Sequence, residues 1–195
     1  KLVKNLLPKQ IPIYYIKHPM EKIDKSFNIE NFLIQSNNKQ PNIIQLGAQY
    51  RKVSTIYTIK ASNYKIWLSG INKIKSINTV RHELNYLNIP ETNLNKVEIK
   101  RTDTIDEFDE LLLNNIVIIP LWNASANNSV LECIEMNIPA FVTRLPSTEE
   151  YLGKDYPMFY SNISEVEEII NNKSLFQQKY KETHAYLLTI DKSDI

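Results

Sequence analysis

The most constraining feature of this sequence is a regular alternation between short apolar segments and segments with helical spacing. The clearest apolar segment, residues 116–121 (IVIIPL), is continuous, as expected for a strand that is buried on both faces of a parallel sheet. The alternation starts at residue 41, and each connection is long enough for a crossover helix. This pattern predicts an α/β fold with a doubly wound, Rossmann-like parallel sheet of about six strands and helices on both faces.

The pattern also gives approximate positions for the individual elements. The predicted strands are residues 42–46, 65–68, 96–99, 116–121, 140–144 and 158–160. The predicted helices are residues 50–62, 79–87, 104–113, 128–136, 148–152, 164–171 and 175–188. We expect Thr104 and Glu107 to cap one of these helices, and we expect Ser147 to begin another that Gly153 ends.

The first forty residues do not follow the alternation. Residues 11–16 (IPIYYI) predict a short strand, and residues 29–34 predict either a short helix or an extended arm. We therefore expect residues 1–40 to be a linker or the end of a preceding domain. Residues 41–195 are expected to form one Rossmann-like domain that ends in helices. Because the chain does not begin with Met, we also expect it to be a piece of a longer protein.

Charge and cysteine content narrow the class of protein. The 195 residues carry 23 basic and 22 acidic side chains, which argues against a nucleic-acid partner and against a polybasic membrane surface. No apolar segment is long enough for a transmembrane helix. The single cysteine, Cys133, falls on the inner face of a predicted helix, where we expect it to pack in the core. These features favour a cytoplasmic protein, in the host cytoplasm if the source is viral.

The sequence lacks the glycine-rich loops that bind phosphate in many α/β proteins. It has three glycines, and neither G-x-G-x-x-G nor G-x-x-x-x-G-K-[ST] occurs. The three histidines are far apart and no H-E-x-x-H occurs, so we expect no metal site. No G-x-S-x-G elbow occurs either, which argues against an α/β-hydrolase. A phosphate site in this chain would have to use a helix start and basic side chains.

Residues 118–143 (IIPLWNASANNSVLECIEMNIPAFVT) carry the most functional information. A buried strand leads into a polar loop, a helix begins near residues 127–129, and Glu132 lies one turn inside that helix. The amino terminus of a helix suits a diphosphate, and an acidic side chain in the next turn could accept hydrogen bonds from two ribose hydroxyls. It is equally consistent that residues 127–129 only cap the helix and that Glu132 is a solvated helix residue.

Residues 128–142 (NSVLECIEMNIPAFV) resemble the nucleotide-sugar signature of GT-B glycosyltransferases. In that family an apolar strand and a polar loop precede the pattern S-x-x-E-A-x-A-x-G-x-P-V. The resemblance extends over the βα series and fits the donor-binding, C-terminal half of the fold. It implies transfer of a sugar from a nucleotide-diphosphate donor to a hydroxyl of an unidentified glycan, protein or lipid acceptor. It also implies that no metal or other cofactor is needed, and that an N-terminal half is needed for full activity.

The resemblance also implies roles for individual residues. Glu132 matches the residue that holds the donor ribose. The residues that match groups at the donor phosphates are Gly47, Arg51, Lys52, Asn127, Asn128 and Ser129. The residues expected near the base are Lys100, Arg101 and Thr102. Catalytic residues stay unassigned.

The chain departs from the family pattern at a position that matters for catalysis. Ala124 stands where many retaining members have a second glutamate, eight residues before the ribose glutamate. Ile134 and Asn137 stand where small residues are common. The missing glutamate leaves open a non-catalytic module that binds a nucleotide sugar or a partner. A sugar-nucleotide epimerase, which uses a related two-domain fold, is a further hypothesis.

Overall fold

The sheet defines the architecture of this protein. The computed structural model describes residues 23–124 and 127–192, so the predicted strand 11–16 lies outside the described residues. The strands are β1 (Ile43–Leu46), β2 (Lys65–Leu68), β3 (Val97–Lys100), β4 (Ile116–Ile119), β5 (Ala140–Thr143) and β6 (Phe159–Tyr160).

Helices connect and flank these strands. In the described residues they are α1 (Ile29–Asn38), α2 (Thr55–Thr58), α3 (Lys73–Tyr86), α4 (Ile105–Leu113), α5 (Asn128–Glu135), α6 (Pro146–Leu152), α7 (Ile163–Asn171) and α8 (Lys173–Leu187). A 3-10 helix, Glu91–Lys96, precedes β3. The alternation of strand and helix is the one that the sequence predicts.

The strands pair in the order β3-β2-β1-β4-β5-β6, and every pairing is parallel. This is the doubly wound, Rossmann-like order, so the predicted fold class is confirmed. The direction of winding reverses between β1 and β4. In such sheets a crevice opens outside the carboxyl ends of the two strands at the reversal.

The core lies on both faces of the sheet. All four residues of β1, β4 and β5 are buried, which explains why their sequences are largely apolar rather than alternating. The one polar side chain in β1, Gln45, is fully buried and bonds to the backbone of Val53 and Ile56. Cys133 is also buried, as predicted for a core residue.

The connection after β1 differs from the prediction. The sequence predicts a helix over residues 50–62, but α2 spans only Thr55–Thr58. Tyr50 has a positive φ of 56°, and Arg51 forms an antiparallel bridge with Leu121. The chain therefore runs beside the end of β4 before it turns into α2. Val53 and Ile59, two of the apolar residues that suggested a longer helix, are buried on either side of α2.

Two other helix starts also differ from the prediction. The helix predicted over residues 79–87 begins earlier, at Lys73, because the Asn72 side chain caps it by accepting from the Lys75 amide at 2.9 Å. The first turns of α3 carry few apolar residues, so periodicity missed them. The helix predicted over residues 148–152 begins at Pro146, so Ser147 lies inside it and is not its cap. Gly153 ends that helix as predicted.

The capping prediction for α4 is confirmed. Thr104 Oγ1 accepts from the Glu107 amide at 3.1 Å, and Glu107 Oε2 accepts from the Asp103 amide at 3.1 Å. The side chain of Glu107 thus reaches one residue further back than an ideal capping box.

The segment before β1 packs on the domain. Residues 29–34, which predict either a helix or an arm, belong to α1. Phe32 of α1 is buried and stacks on Tyr180 of α8, with ring centroids 5.1 Å apart. Phe27 lies against His184 of the same helix, at 5.8 Å. The division of the chain at residue 40 stays a prediction.

Candidate functional site

Two loops meet at the carboxyl edge of the sheet where the winding reverses. The loop after β1 and the loop after β4 are joined by the bridge between Arg51 and Leu121. The Lys52 amide donates to the Pro120 carbonyl and the Trp122 amide donates to the Tyr50 carbonyl, both at 3.0 Å. The two loops therefore form one unit, at the position where open α/β sheets bind ligands.

Gly47 lies at the centre of this unit. Its φ is +73°, a conformation that costs residues with a side chain free energy, and its carbonyl accepts from the Trp67 indole at 2.7 Å. A Cβ at this position would lie 3.4 Å from Nε of Arg51. The guanidinium group thus packs directly over Gly47, and a larger side chain there would displace it.

Arg51 is the cation at the floor of the crevice. Nε donates to the Leu46 carbonyl at 3.0 Å and Nη1 to the Gln49 carbonyl at 3.2 Å. Nη2 donates to Asn127 Oδ1 at 3.1 Å and to Ser129 Oγ at 3.3 Å. Burial lowers the pKa of Arg51, and the charge of Glu132 opposes that shift. Arginine has five N–H donors, so these four bonds fix the position of the charge.

The start of α5 faces this cation. Asn127 is the N-cap, 3 % exposed, and its Oδ1 also accepts from the Val130 amide at 3.3 Å. Asn127 Nδ2 is buried and has no hydrogen-bond partner among the described residues. Asn128 is exposed and Ser129 is partly buried on the first turn. A helix amino terminus carries positive potential, and Arg51 adds a full charge beside it.

Glu132 lies one turn further along α5. Burial raises the pKa of its carboxyl, the charge of Asp109 raises it further, and Arg51 opposes both. Asp109 is itself buried and has its own counter-ion, Lys25, at 3.4 Å. Within the described part of the chain, the Glu132 carboxylate forms no hydrogen bond or ion pair. Its oxygens are therefore free to accept hydrogen bonds from a ligand.

The side chains of Lys52 and Arg51 extend to different places. The Lys52 ammonium lies over the indole ring of Trp122, 5.0 Å from the ring centroid. Trp122 is 47 % exposed and forms the rim of the crevice together with the exposed Tyr50. Lys52 thus contributes positive charge to the rim, whereas Arg51 contributes it to the floor.

The residues expected near the base lie at the end of β3, two strands away from β1. With neighbouring strands about 4.8 Å apart, this places them roughly 10 Å from the end of β1. Lys100 pairs with Glu107 at 3.0 Å, a hydrogen bond that raises the pKa of Lys100. Arg101 is exposed and Thr102 is partly buried. These side chains lie on the same edge of the sheet as the crevice but form a separate group.

One residue of the site, Glu83, is not among those that the sequence pattern predicts. It lies in α3, and its carboxylate accepts from the amides of Val53 and Ser54 and from the Trp122 indole. No motif marks it, since a lone glutamate on a helix is ordinary in sequence. Only the packing of α3 against the two loops identifies it.

In residues 23–124 and 127–192, no group of three or more His, Cys, Asp or Glu side chains could hold a metal ion. Over the same ranges, no helix is both long enough and apolar enough to cross a membrane.

Comparison with known proteins identifies the fold. No family model matches the chain, and no curated protein sequence matches it. The structure is similar to WaaG, a glycosyltransferase involved in lipopolysaccharide biosynthesis, with a TM-score of 0.56 and 14 % sequence identity over 85 % of this chain and 48 % of that one. A glycosyltransferase from Rickettsia africae ESF-5 matches with a TM-score of 0.49 and 13 % identity, over 85 % of this chain and 51 % of that one.

The similarity to WaaG shows that the chain has a glycosyltransferase-like fold of the GT-B type, as the sequence resemblance implied. The chain spans about half the length of both solved structures that it matches.

Proposed function

We propose that this chain is the donor-binding half of a glycosyltransferase that transfers a sugar from a nucleotide diphosphate to an acceptor hydroxyl. One observation carries the proposal: the Arg51 guanidinium is fixed against the start of α5 at the winding reversal, and Glu132 follows one turn inside that helix. In this arrangement the cation and the helix amino terminus suit the diphosphate, and the free carboxylate next to them suits the ribose of a nucleoside diphosphate.

The chemistry of the proposed reaction explains the cation. As the bond between the sugar and the diphosphate breaks, negative charge builds up on the leaving diphosphate. A fixed arginine and a helix amino terminus stabilise that charge without having to reorganise during the reaction. Gly47 permits the backbone to approach the ligand, and Asn128 and Ser129 offer polar groups on the first turn of α5.

Glu132 has a separate role in this proposal. Two ribose hydroxyls donate hydrogen bonds to its carboxylate. The carboxylate can accept these bonds because no described residue of the chain bonds to it. The end of β3, with Lys100, Arg101 and Thr102, lies at a suitable distance to contact the base. The sugar, the base and the acceptor are not assigned.

Titration calorimetry with UDP, GDP and ADP tests this proposal. We expect one of them to bind, and we expect Arg51→Met to weaken that binding roughly 10- to 100-fold, because a hydrogen bond or ion contact with a charged group is worth about 1.5–3 kcal/mol. Arg81→Met is the matched control, since Arg81 pairs with Glu91 on the surface of α3. Binding of none of the three nucleotides, or equal losses in the two variants, would contradict the proposal.

A second candidate function is a module that binds a nucleotide sugar without catalysis. Ala124 favours it, because this residue of the loop after β4 has no carboxylate where many retaining enzymes have one. A donor-hydrolysis assay distinguishes the two functions once the chain is tested together with the remainder of its protein. Turnover of the donor favours the enzyme, whereas tight binding without turnover favours the module.

A further inference from the structure

The carboxylate of Glu83 links three parts of the molecule. Glu83 lies in α3, the helix after β2, and it is partly buried. Oε1 accepts from the Ser54 amide at 2.9 Å and from the Ser54 hydroxyl at 2.6 Å. Oε2 accepts from the Val53 amide at 3.0 Å and from Nε1 of Trp122 at 3.4 Å. One side chain thus contacts both loops of the candidate site.

These contacts lie next to the groups that the proposed function needs. Val53 and Ser54 follow Arg51 by two and three residues, so fixing their amides restricts the segment that carries the guanidinium group. Trp122 follows Leu121, the residue that pairs with Arg51 across the two loops. Glu83 therefore holds the two sides of the Arg51 bridge from outside the crevice.

Other links between the loops include the side-chain contacts of Arg51 and Lys52 described above and two backbone bonds. The Lys52 amide bonds to Pro120 and the Trp122 amide bonds to Tyr50. These two backbone bonds fix how the loops pair, but neither of them involves α3. Glu83 joins both loops to α3, and hydrogen bonds to a carboxylate are stronger than bonds between neutral groups.

We propose that Glu83 is a positioning residue for nucleoside diphosphate binding: by joining the two loops to α3, it holds Arg51 against the start of α5. This proposal rests on the proposed function for the identity of the ligand. Glu83 does not touch the ligand and acts through Arg51. A purely structural role would instead change the stability of the fold and leave the affinity of the folded protein unchanged.

Glu83→Gln is the variant that tests the proposal. It keeps the size of the side chain but replaces one acceptor oxygen with an NH2 group that faces N–H donors. Calorimetry with the nucleoside diphosphate that wild type binds should show about a tenfold loss of affinity, because small displacements of a charged contact are costly. Glu91→Gln is the matched control, since this glutamate also contacts α3, through Arg81, but lies before β3.

A double-mutant cycle separates positioning from structure. If Glu83 acts through Arg51, Glu83→Gln should cost less than about twofold in an Arg51→Met background. A full tenfold loss in that background overturns the proposal. Where Glu83→Gln folds too poorly for calorimetry, Ser54→Ala removes only the 2.6 Å hydroxyl bond and should give a smaller loss of affinity that also disappears in the Arg51→Met background.

A readout without ligand keeps this proposal distinct from the proposed function. The Nε–H of Arg51 and the indole N–H of Trp122 give nitrogen-correlated NMR signals, which Arg51→Met and Trp122→Phe assign. We expect Glu83→Gln to shift or broaden the Arg51 signal, and Glu91→Gln to leave it unchanged. If wild type binds no nucleotide, the proposed function fails, and an unchanged Arg51 signal in Glu83→Gln overturns the positioning proposal separately.

Discussion

Two helices begin at the carboxyl edge of the sheet on either side of the winding reversal, and their amino ends differ in charge. The amino end of α2 is closed by the protein itself: Glu83 accepts from the amides of Val53 and Ser54, and Gln45 Oε1 accepts from the Ile56 amide at 3.0 Å. The amino end of α5 has only the neutral cap Asn127, with the Arg51 cation beside it.

This difference decides which helix end can receive an external anion. An anion from the same chain already occupies the first helix end, so an external anion gains nothing there. The second end combines the positive potential of a helix with an arginine whose charge has no carboxylate in ion-pair contact among the described residues. We infer that Glu83 closes the amino end of α2 to an external anion and that the start of α5 is left open to receive one.

The largest effect on the free energy of unfolding should appear when the charged group at each helix end is removed by mutation. Glu83→Ala leaves two backbone amides and a hydroxyl without their acceptor, and we expect it to lower the free energy of unfolding by about 3 kcal/mol. Arg51→Met should cost at most about 1 kcal/mol, because it also relieves the burial penalty of the cation. Urea unfolding without nucleotide measures both. Equal destabilisation by the two variants would remove the distinction between the helix ends.

The next largest effect should come from Gly47, against which the Arg51 guanidinium packs. Gly47→Val and Gly70→Val both place a β-branched residue at positive φ, +73° and +69°, and each should lower the free energy of unfolding by about 1–2 kcal/mol. A Cβ at Gly70 meets nothing within 4 Å, whereas at Gly47 it adjoins the Arg51 guanidinium. Only Gly47→Val should therefore also weaken nucleotide binding, measured by calorimetry. A similar loss in Gly70→Val would mean that the loss does not arise at Arg51.

The sequence predicts the parts of this comparison that depend on local patterns. Largely apolar segments identify β1, β4 and β5 as buried parallel strands, and the alternation with helical segments indicates the other three. The start of α5 near residue 128 follows from the Asn and Ser residues that can cap a helix. Gly47 stands out because it follows the first strand directly.

The parts that sequence could not predict depend on contacts between distant residues. The bridge between Arg51 and Leu121 replaces the first turns of a predicted helix, and no local pattern contains that information. Glu83 accepts hydrogen bonds from Val53 and Ser54, which lie 30 and 29 positions before it in the sequence. It also accepts one from Trp122, which lies 39 positions after it. Lys52 and Arg51 are neighbours in sequence, yet the bridge directs their side chains to different places.

A smaller effect should come from Glu132, whose charge near the start of α5 depends on pH. Burial raises the pKa of Glu132 above its ordinary value of 4.5, so the folded state holds the proton more tightly than the unfolded state does. The free energy of unfolding therefore falls as pH rises through the interval between these two pKa values. The carboxylate that we propose as the acceptor for ribose hydroxyls forms in the same interval, so nucleotide affinity should rise there.

Glu132→Gln removes both pH dependences. At neutral pH it should leave the protein as stable as wild type or more stable, and it should weaken nucleotide binding by about 1 kcal/mol through the lost charge-assisted hydrogen bonds. Unfolding and calorimetry from pH 4.5 to neutrality measure these effects. The titration of the nucleotide phosphate is common to both proteins and cancels in the comparison. A variant that keeps the wild-type pH profile would show that Glu132 does not contact the ligand.

The smallest effect should come from Trp122, where the two loops meet the rim. Trp122→Phe loses a long hydrogen bond of 3.4 Å to Glu83 but keeps an aromatic face for Lys52. We expect a cost of about 0.5 kcal/mol in the free energy of unfolding, because both contacts are partly exposed. Trp67→Phe is the comparison: its indole is fully buried and donates to Gly47 at 2.7 Å, so its loss should cost about 1–3 kcal/mol. If urea unfolding shows equal costs, the rim contact with Glu83 is as strong as the bond beneath the cation. The closed helix end would then extend to the rim of the crevice.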